Sequence, residues 1–444
     1  MNFEKKMQKR GNKTLDTYTP DLYPNNHSFP LWAKISIPVG GALVASAIVV
    51  AVVLTNLSPF ASKNNMFVAA PKRMAVVSLN QSLVNRTASK TLESLDPFLK
   101  QNTNSNYVIS PASYLLAVSG LVGVSDGFNL DSFGLEDAME DCKTLLESWN
   151  FLYERNEEYN ADYCRFDSGV LFQQVGPTYA FDVEKQKTVA DKYIATSVAT
   201  LNNHHEQVKE YYREKISLNV PIPEFPLMSD GVIAYSALKM KDYVANGLNS
   251  GQNDFYIGEE TIQTDSYIFG SKYQPLSLPY YEEENYEAFE LKVNHTNLLV
   301  VLPRKDIDLE SIAISEVYNF WKANNKTVKA YGYVPFFHTN NKQLDITPAL
   351  QNKLNGKEVL YSKLIRDDVT NDLKVSAILQ SSDFEFNKYG VSGESITAII
   401  SVGASVPVDN EESVIELNVD RPFYAISLKD DFPLFVNKVV NPKM

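Results

Sequence analysis

The chain has 444 residues, with 41 Lys plus Arg against 54 Asp plus Glu, a formal net charge of −13 and 44% hydrophobic residues. That apolar share can bury a sizeable core, which excludes a chain disordered throughout. The acidic balance argues against a nucleic-acid binder, because neutralising phosphates needs a net basic face. Two cysteines exclude a disulfide scaffold and a Cys-rich zinc module.

The N-terminal stretch comes first. No charge occurs between Lys34 and Lys63, and Ile35 to Leu57 is almost wholly apolar. About 20 such residues at ~1.5 Å each span the ~30 Å hydrocarbon core of a bilayer, so 35–57 is predicted to be a transmembrane helix. Pro38, Gly40 and Gly41 fall in its first turns, where a helix tolerates them best. A cleaved signal peptide is the rival reading. The apolar run is longer than a usual signal core, follows a polar tail, and leads into Ser58-Pro59-Phe60-Ala61-Ser62 without an A-x-A site. Lys5, Lys6, Lys9, Arg10, Lys13 and Lys34 precede the run, against Lys63, Lys72 and Arg73 after it. The positive-inside rule then makes 1–34 a cytoplasmic tail and 35–57 a single-pass anchor in the cell membrane. A linker over 58–75 and a monomeric extracellular domain over 76–444 complete the expected plan.

Within that domain, Leu83, Thr87, Leu92, Leu95 and Leu99 recur near helical spacing and predict a helix over 79–99. Ser110-Pro111 is a helix start, followed by the apolar run Tyr114 to Leu121. Leu145, Leu146, Trp149 and Leu152 make one stripe of a third helix over 137–153. Cys142 and Cys164 form one disulfide in an exported domain, or stay as two partly buried thiols. His204-His205 is the only histidine cluster, and adjacent side chains point apart, so no metal site is expected. Seven Asn-x-Ser/Thr triplets, at Asn12, Asn26, Asn56, Asn80, Asn85, Asn294 and Asn325, are near chance in so Asn-rich a chain.

The later part reads as strands. Thr296 to Pro303 is a short apolar run closed by proline. Phe423 to Leu428 and Leu434 to Val440 flank Lys429-Asp430-Asp431-Phe432-Pro433 as a hairpin with an Asp-rich turn. Helices followed by strands predict an α+β domain.

Four segments carry a family resemblance. Val419-Asp420-Arg421-Pro422-Phe423-Tyr424-Ala425-Ile426, then Phe435-Val436-Asn437-Lys438-Val439-Val440-Asn441-Pro442, strongly resembles the C-terminal signature of the serpins, "D-R-P-F-x-F" and "F-x-G-R-V-x-N-P". Asn106 to Ser113 resembles their "N-V-x-x-S-P-x-S" segment, and Leu298 to Pro303 the strand ending in "L-P". Tyr331 to Phe337, followed by Leu344 to Leu350, resembles the "V-x-L-P-K-F" strand and the helix after it. The resemblance implies a fold of three β-sheets and many helices, with a mobile reactive loop before Asp420. It also implies a sheet-opening region at Ser110, Pro111, Ser113 and Gln380, the last standing where a histidine is usual. Glu206-Gln207-Val208 takes the place of a helix segment that normally carries a tryptophan.

Gly390 to Pro422 has no evident closing partner, and so long a structureless loop is usually functional. Phe384 to Gly390 resembles the family's entry into the hinge, with Lys388-Tyr389 replacing an acidic pair. The hinge is then Gly390, Val391, Ser392, Gly393, Glu394, Ser395, Ile396 and Thr397. Alternation puts Val391, Gly393, Ser395 and Thr397 on one strand face and Glu394 on the other. A small uncharged inward face is what insertion into a sheet requires, because an unpaired buried charge costs several kcal/mol. The family's usual distance from the hinge glycine puts the reactive bond at Ala404–Ser405, with Val402 the next candidate for the residue before the cut. Small apolar residues surround that bond, and no Arg or Lys is near.

The resemblance therefore implies a protein that is not an enzyme and needs no cofactor. It would inhibit a serine protease with a small apolar specificity pocket, elastase-like or subtilisin-like, by cleavage and insertion of its own loop. The alternative is a non-inhibitory surface protein of the same fold, acting in binding or adhesion. A hydrolase is excluded further by Gly390-Val391-Ser392-Gly393-Glu394, which lacks the glycine two places after the serine that a nucleophile elbow needs.

Overall fold

The computed structural model describes residues 66–69, 80–100, 105–122, 133, 135, 163–174, 184–188, 196–201, 231–244, 246–346, 349, 375–377, 379–395 and 414–443. The predicted membrane span, the 137–153 helix, Cys142, His204-His205, Glu206 to Val208, Ile396-Thr397 and the Ala404–Ser405 bond lie outside the described residues. Among those described, no helix is long and apolar enough to cross a membrane.

The first helix, α1 (Gln81–Leu99), starts where Asn80 accepts a hydrogen bond from the Leu83 amide at 3.1 Å. Its buried face carries Leu83, Val84, Thr87, Ala88, Leu92, Leu95 and Leu99 at three- and four-residue intervals. The second helix, α2 (Pro111–Val122), begins with proline in its first turn. The Ser110 hydroxyl accepts from the Ser113 amide at 3.3 Å, so the Ser-Pro start is a capped one. The third, α3 (Ile314–Asn324), packs on α1, and Asp96 of α1 accepts hydrogen bonds from the Ser315 amide and hydroxyl.

Eighteen described strands form two sheets. The first runs in the order β1 (Met66–Ala69), β4 (Thr196–Leu201), β3 (Tyr163–Gln174), β5 (Gly231–Tyr243), β15 (Gly390–Ser395), β14 (Leu379–Asn387) and β12 (Phe337–Asp345), with β13 (Val375–Ala377) paired to β5. The second runs β2 (Tyr107–Ile109), β18 (Phe432–Val439), β17 (Phe423–Lys429), β10 (Asn297–Pro303), β9 (Tyr286–Lys292), β8 (Leu276–Glu282), β11 (Lys326–Pro335), β7 (Glu260–Phe269) and β6 (Ser250–Ile257), with β16 (Ile415–Asn418) paired to β11. The resemblance implied three sheets. Two appear because β11 is shared: Lys326–Ala330 pairs with β8, and Gly332–Pro335 pairs with β7.

The predicted hairpin near the C-terminus is present with a tighter turn. Lys429 pairs with Phe432, which leaves only Asp430 and Asp431 as turn residues, at φ 48° and 70°. Two consecutive positive φ values match the twist of the flanking strands, and Asp tolerates them. Every residue of β17 and β18 is buried. Between the sheets lies an aromatic layer: the ring centroids of Phe384 are 5.2 Å from Phe435 and 5.9 Å from Phe337, and Phe337 is 5.7 Å from Phe423. Asn437, where the family usually has glycine, is fully buried and joins the two sheets. It accepts from the Thr339 hydroxyl at 2.7 Å and donates to the Ala425 carbonyl at 3.0 Å.

One carboxyl is at odds with its surroundings. Glu290 of β9 accepts from the Asn297 amide group at 2.8 Å, and its second oxygen is buried with no partner among the described residues. Burial, reinforced by the Asp431 charge and opposed by Lys322, pushes its pKa up to about 7. A raised folded-state value favours the protonated form, so this group's contribution is complete below the ordinary carboxylate range and is lost as pH rises through about 7. Glu290→Gln should match the wild type at pH 4 and be more stable at pH 8 by about 1–3 kcal/mol in urea unfolding. A variant equally destabilised at both pH values would contradict this assignment.

Candidate functional site: the hinge strand in its slot

The predicted loop start is a strand. Gly390–Ser395 lies between β5 and β14 and runs antiparallel to both. Asn387 pairs with Gly390 across the two-residue turn Lys388-Tyr389, so β14 and β15 form a hairpin. The Asn387 side chain closes that turn by accepting from the Tyr389 amide at 2.8 Å. Two further bonds fasten the turn to the chain leaving β5: Val244 N–H to the Tyr389 carbonyl at 2.9 Å, and Leu248 N–H to the Lys388 carbonyl at 2.7 Å. Tyr389 stacks on Tyr243 with ring centroids 6.1 Å apart. At the other end of the loop, β16 pairs in parallel with β11. The segment from Gly390 to Pro422 is thus anchored in a sheet at each end, whereas its sequence reads as one unpaired loop.

The hinge strand fits because its inward side chains are small. Val391 is buried, and Gly393 lies directly over the aromatic layer. A Cβ at Gly393 would meet two ring carbons of Phe435 at 2.7 Å and one of Phe384 at 3.1 Å. Gly390 has φ +114°, and a Cβ there would fall 2.1 Å from the Asp242 carbonyl oxygen. Glycine at 390 and 393 is therefore a condition of seating rather than a propensity. In register, Ser392 pairs with Glu385 and Lys241, and Glu394 with Asp383 and Lys239.

Ser110, Pro111, Ser113 and Gln380 are brought together at the lower end of the slot. Gln380 of β14 is fully buried and grips the backbone of Ser110 from both sides. Its carbonyl accepts from the Ser110 amide at 2.8 Å and its amide donates to the Ser110 carbonyl at 3.2 Å. The Ser110 hydroxyl donates to the Leu434 carbonyl at 2.7 Å, which fixes the start of α2 to β18. This cluster carries no titratable group.

Sequence reasoning missed Asp242, which is 3% exposed on β5 directly opposite Val391. The signal was present: Leu238, Met240 and Asp242 alternate along one inward face. Two Asn-x-Thr triplets are already in use. The Asn294 side-chain amide donates to the Tyr243 carbonyl and that of Asn325 to the Trp321 carbonyl. Cys164 lies in β3, paired in register with Met240. No cluster of His, Cys, Asp and Glu that could hold a metal occurs among the described residues.

Residues 248–442 match a family model described as Serpin (serine protease inhibitor). Similar solved structures include the thermophilic serpin tengpin in its native state, with 16% identity, TM-score 0.60, and coverage of 84% of this chain and 97% of that one. Human thyroxine-binding globulin, in complex with thyroxine, is 17% identical with TM-score 0.59, covering 82% and 99%. Serpin48 of the insect Tenebrio molitor gives 17%, 0.59, 82% and 99%. No curated protein matches. Residues 248–442 thus match the serpin family model, and the α+β fold with its large sheet is the one those solved serpin structures share.

Gly393→Arg should drive the hinge from its slot, because overpacking against Phe435 and Phe384 costs about 1–3 kcal/mol or more. Hydrogen exchange should show β15 amides losing protection while β17 and β18 keep theirs. Unchanged protection at 391–395 would contradict the inward placement of Gly393.

Proposed function

We propose that this chain is a serine-protease inhibitor that acts through cleavage and insertion of its own loop, tethered to the cell membrane by residues 35–57 with the domain outside. The observation that carries the reading is the seated hinge: a central slot between two antiparallel strands accepts Gly390–Ser395 through small inward residues. Beyond Ser395 the edge of β5 is shared with β13, which pairs with Val232 and Ile233, so further insertion requires β13 to give way. The family model's own description, serine protease inhibitor, points the same way.

The chemistry follows from the loop sequence. The protease serine attacks the Ala404 carbonyl, the Ser405 amine leaves, and the Ala404 acyl group stays on the protease as an ester. Extension of β15 beyond Ser395 would then carry the acylated protease along the sheet before water hydrolyses the ester. Ala404 lies nine positions beyond Ser395, which at ~3.3 Å per residue reach about 30 Å when extended. Ala404 and its small neighbours suit a shallow apolar pocket, hence an elastase-like or subtilisin-like target.

A second reading is a binding protein that never traps a protease. Its support is the likeness to thyroxine-binding globulin, a protein of this fold whose structure holds thyroxine.

Mixing the chain with elastase and with subtilisin, then running a denaturing gel, separates the two. Trapping predicts a stable band at the summed mass, and a higher melting temperature for the cleaved protein. Plain cleavage with no complex and an unchanged melting temperature would overturn the inhibitor reading for those proteases.

A further inference from the structure

A buried carboxyl group stands at the mouth of the slot, where the inward face of a packed strand would ordinarily carry an apolar side chain. Asp242 follows Leu238 and Met240 on the inward face of β5 and is as buried as they are. Burying a carboxylate is costly unless donors surround it. Here the β9–β10 turn supplies them. The backbone amides of Asn294, His295 and Thr296 donate to Asp242 at 3.2, 3.0 and 2.8 Å, and the Thr296 hydroxyl donates at 2.6 Å. Three successive N–H groups converging on one carboxylate make an anion nest. The turn is itself held from the second sheet, where the Lys429 amine donates to the His295 carbonyl at 2.6 Å. The Asn294 side chain adds a bond to the Tyr243 carbonyl at 3.2 Å.

This clamp lies against the first residues of the hinge. Tyr243 and Asp242 are the register partners of Gly390 and Val391. The Asp242 carbonyl is the atom that a Cβ at Gly390 would strike at 2.1 Å. The side chain of Asp242 therefore fixes one side of a residue whose backbone forms the wall of the slot on the other. A wall of that kind decides where the inserted strand begins, because a shift of β5 would widen the mouth and release Gly390.

We propose that Asp242 is a positioning residue for the hinge: by pinning the end of β5 to the 294–296 turn, it holds the wall against which β15 starts and so sets how readily the hinge leaves the sheet. The claim goes beyond protease inhibition and needs only the seated hinge, so it can fail while trapping holds, and the reverse.

The test is hydrogen exchange by mass spectrometry on the intact full-length chain. Asp242→Ala should speed exchange of the 388–395 segment by about tenfold or more, the effect of losing a charged hydrogen-bond set. The 423–439 hairpin should change less than about twofold. Equal acceleration of both segments would make Asp242 a general stability residue and overturn the proposal, as would an unchanged hinge. If Asp242→Ala does not fold, Thr296→Val removes one donor while keeping the volume. It should speed the hinge by a smaller factor and leave the hairpin alone. Acceleration of both segments by Thr296→Val, or of neither, counts against the proposal in the same way.

Discussion

The arrangement depends on one constraint: the gap between β5 and β14 admits the hinge strand only with glycine at 390 and 393. Gly393 lies on the rings of Phe435 and Phe384, and Gly390 abuts the Asp242 carbonyl. Those rings belong to the layer that joins the two sheets, so the floor of the slot cannot recede without unpacking the core. The hinge adapts to the floor, and its composition records that adaptation. In return, a six-residue segment with little apolar surface gains backbone partners on both edges.

The slot is held at both ends by different chemistry. At the mouth, the Asp242 clamp fixes β5 with charge-assisted bonds to a turn. At the far end, Gln380 fixes β14 to Ser110 with a pair of neutral amide bonds, and Ser110 is fixed to β18. Opening or closing the sheet must disturb one or both. The Gln380 cluster is built from amide and hydroxyl groups, whereas the clamp at the mouth is built on the Asp242 carboxyl. Asn437 and Thr339 add a third tie between β12 and the terminal hairpin, so the strands beyond the slot are braced against the second sheet.

How much of this was legible depends on where the stabilising contacts lie in sequence. The terminal hairpin was readable because both strands are mostly apolar and an Asp pair marks the turn. Helix α2 was readable from Ser110-Pro111 and the run behind it. The hinge strand was not, since Gly-Val-Ser-Gly-Glu-Ser has no two-residue hydrophobic period and owes its form to β5, which lies some 150 positions earlier. Asp242 was passed over for a related reason: an acid at a strand end reads as surface until the 294–296 turn supplies its donors. The joining of two sheets through β11 was hidden as well, because register along a single strand leaves no mark in composition. The small inward face of the hinge, by contrast, could be read from alternation alone, and with it the requirement that no charge point inward.

The central claim is that the hinge occupies the sheet while the loop is uncut. A cross-strand disulfide tests this most directly. Ser392 and Lys241 are register partners on β15 and β5, at a separation that a disulfide can bridge when strands pair. In the double variant Ser392→Cys, Lys241→Cys, mild oxidation of the intact chain should form the link rapidly and without proteolysis. A link that forms only after the loop has been cut would contradict the account, because it would mean that the strand enters the sheet on cleavage and not before.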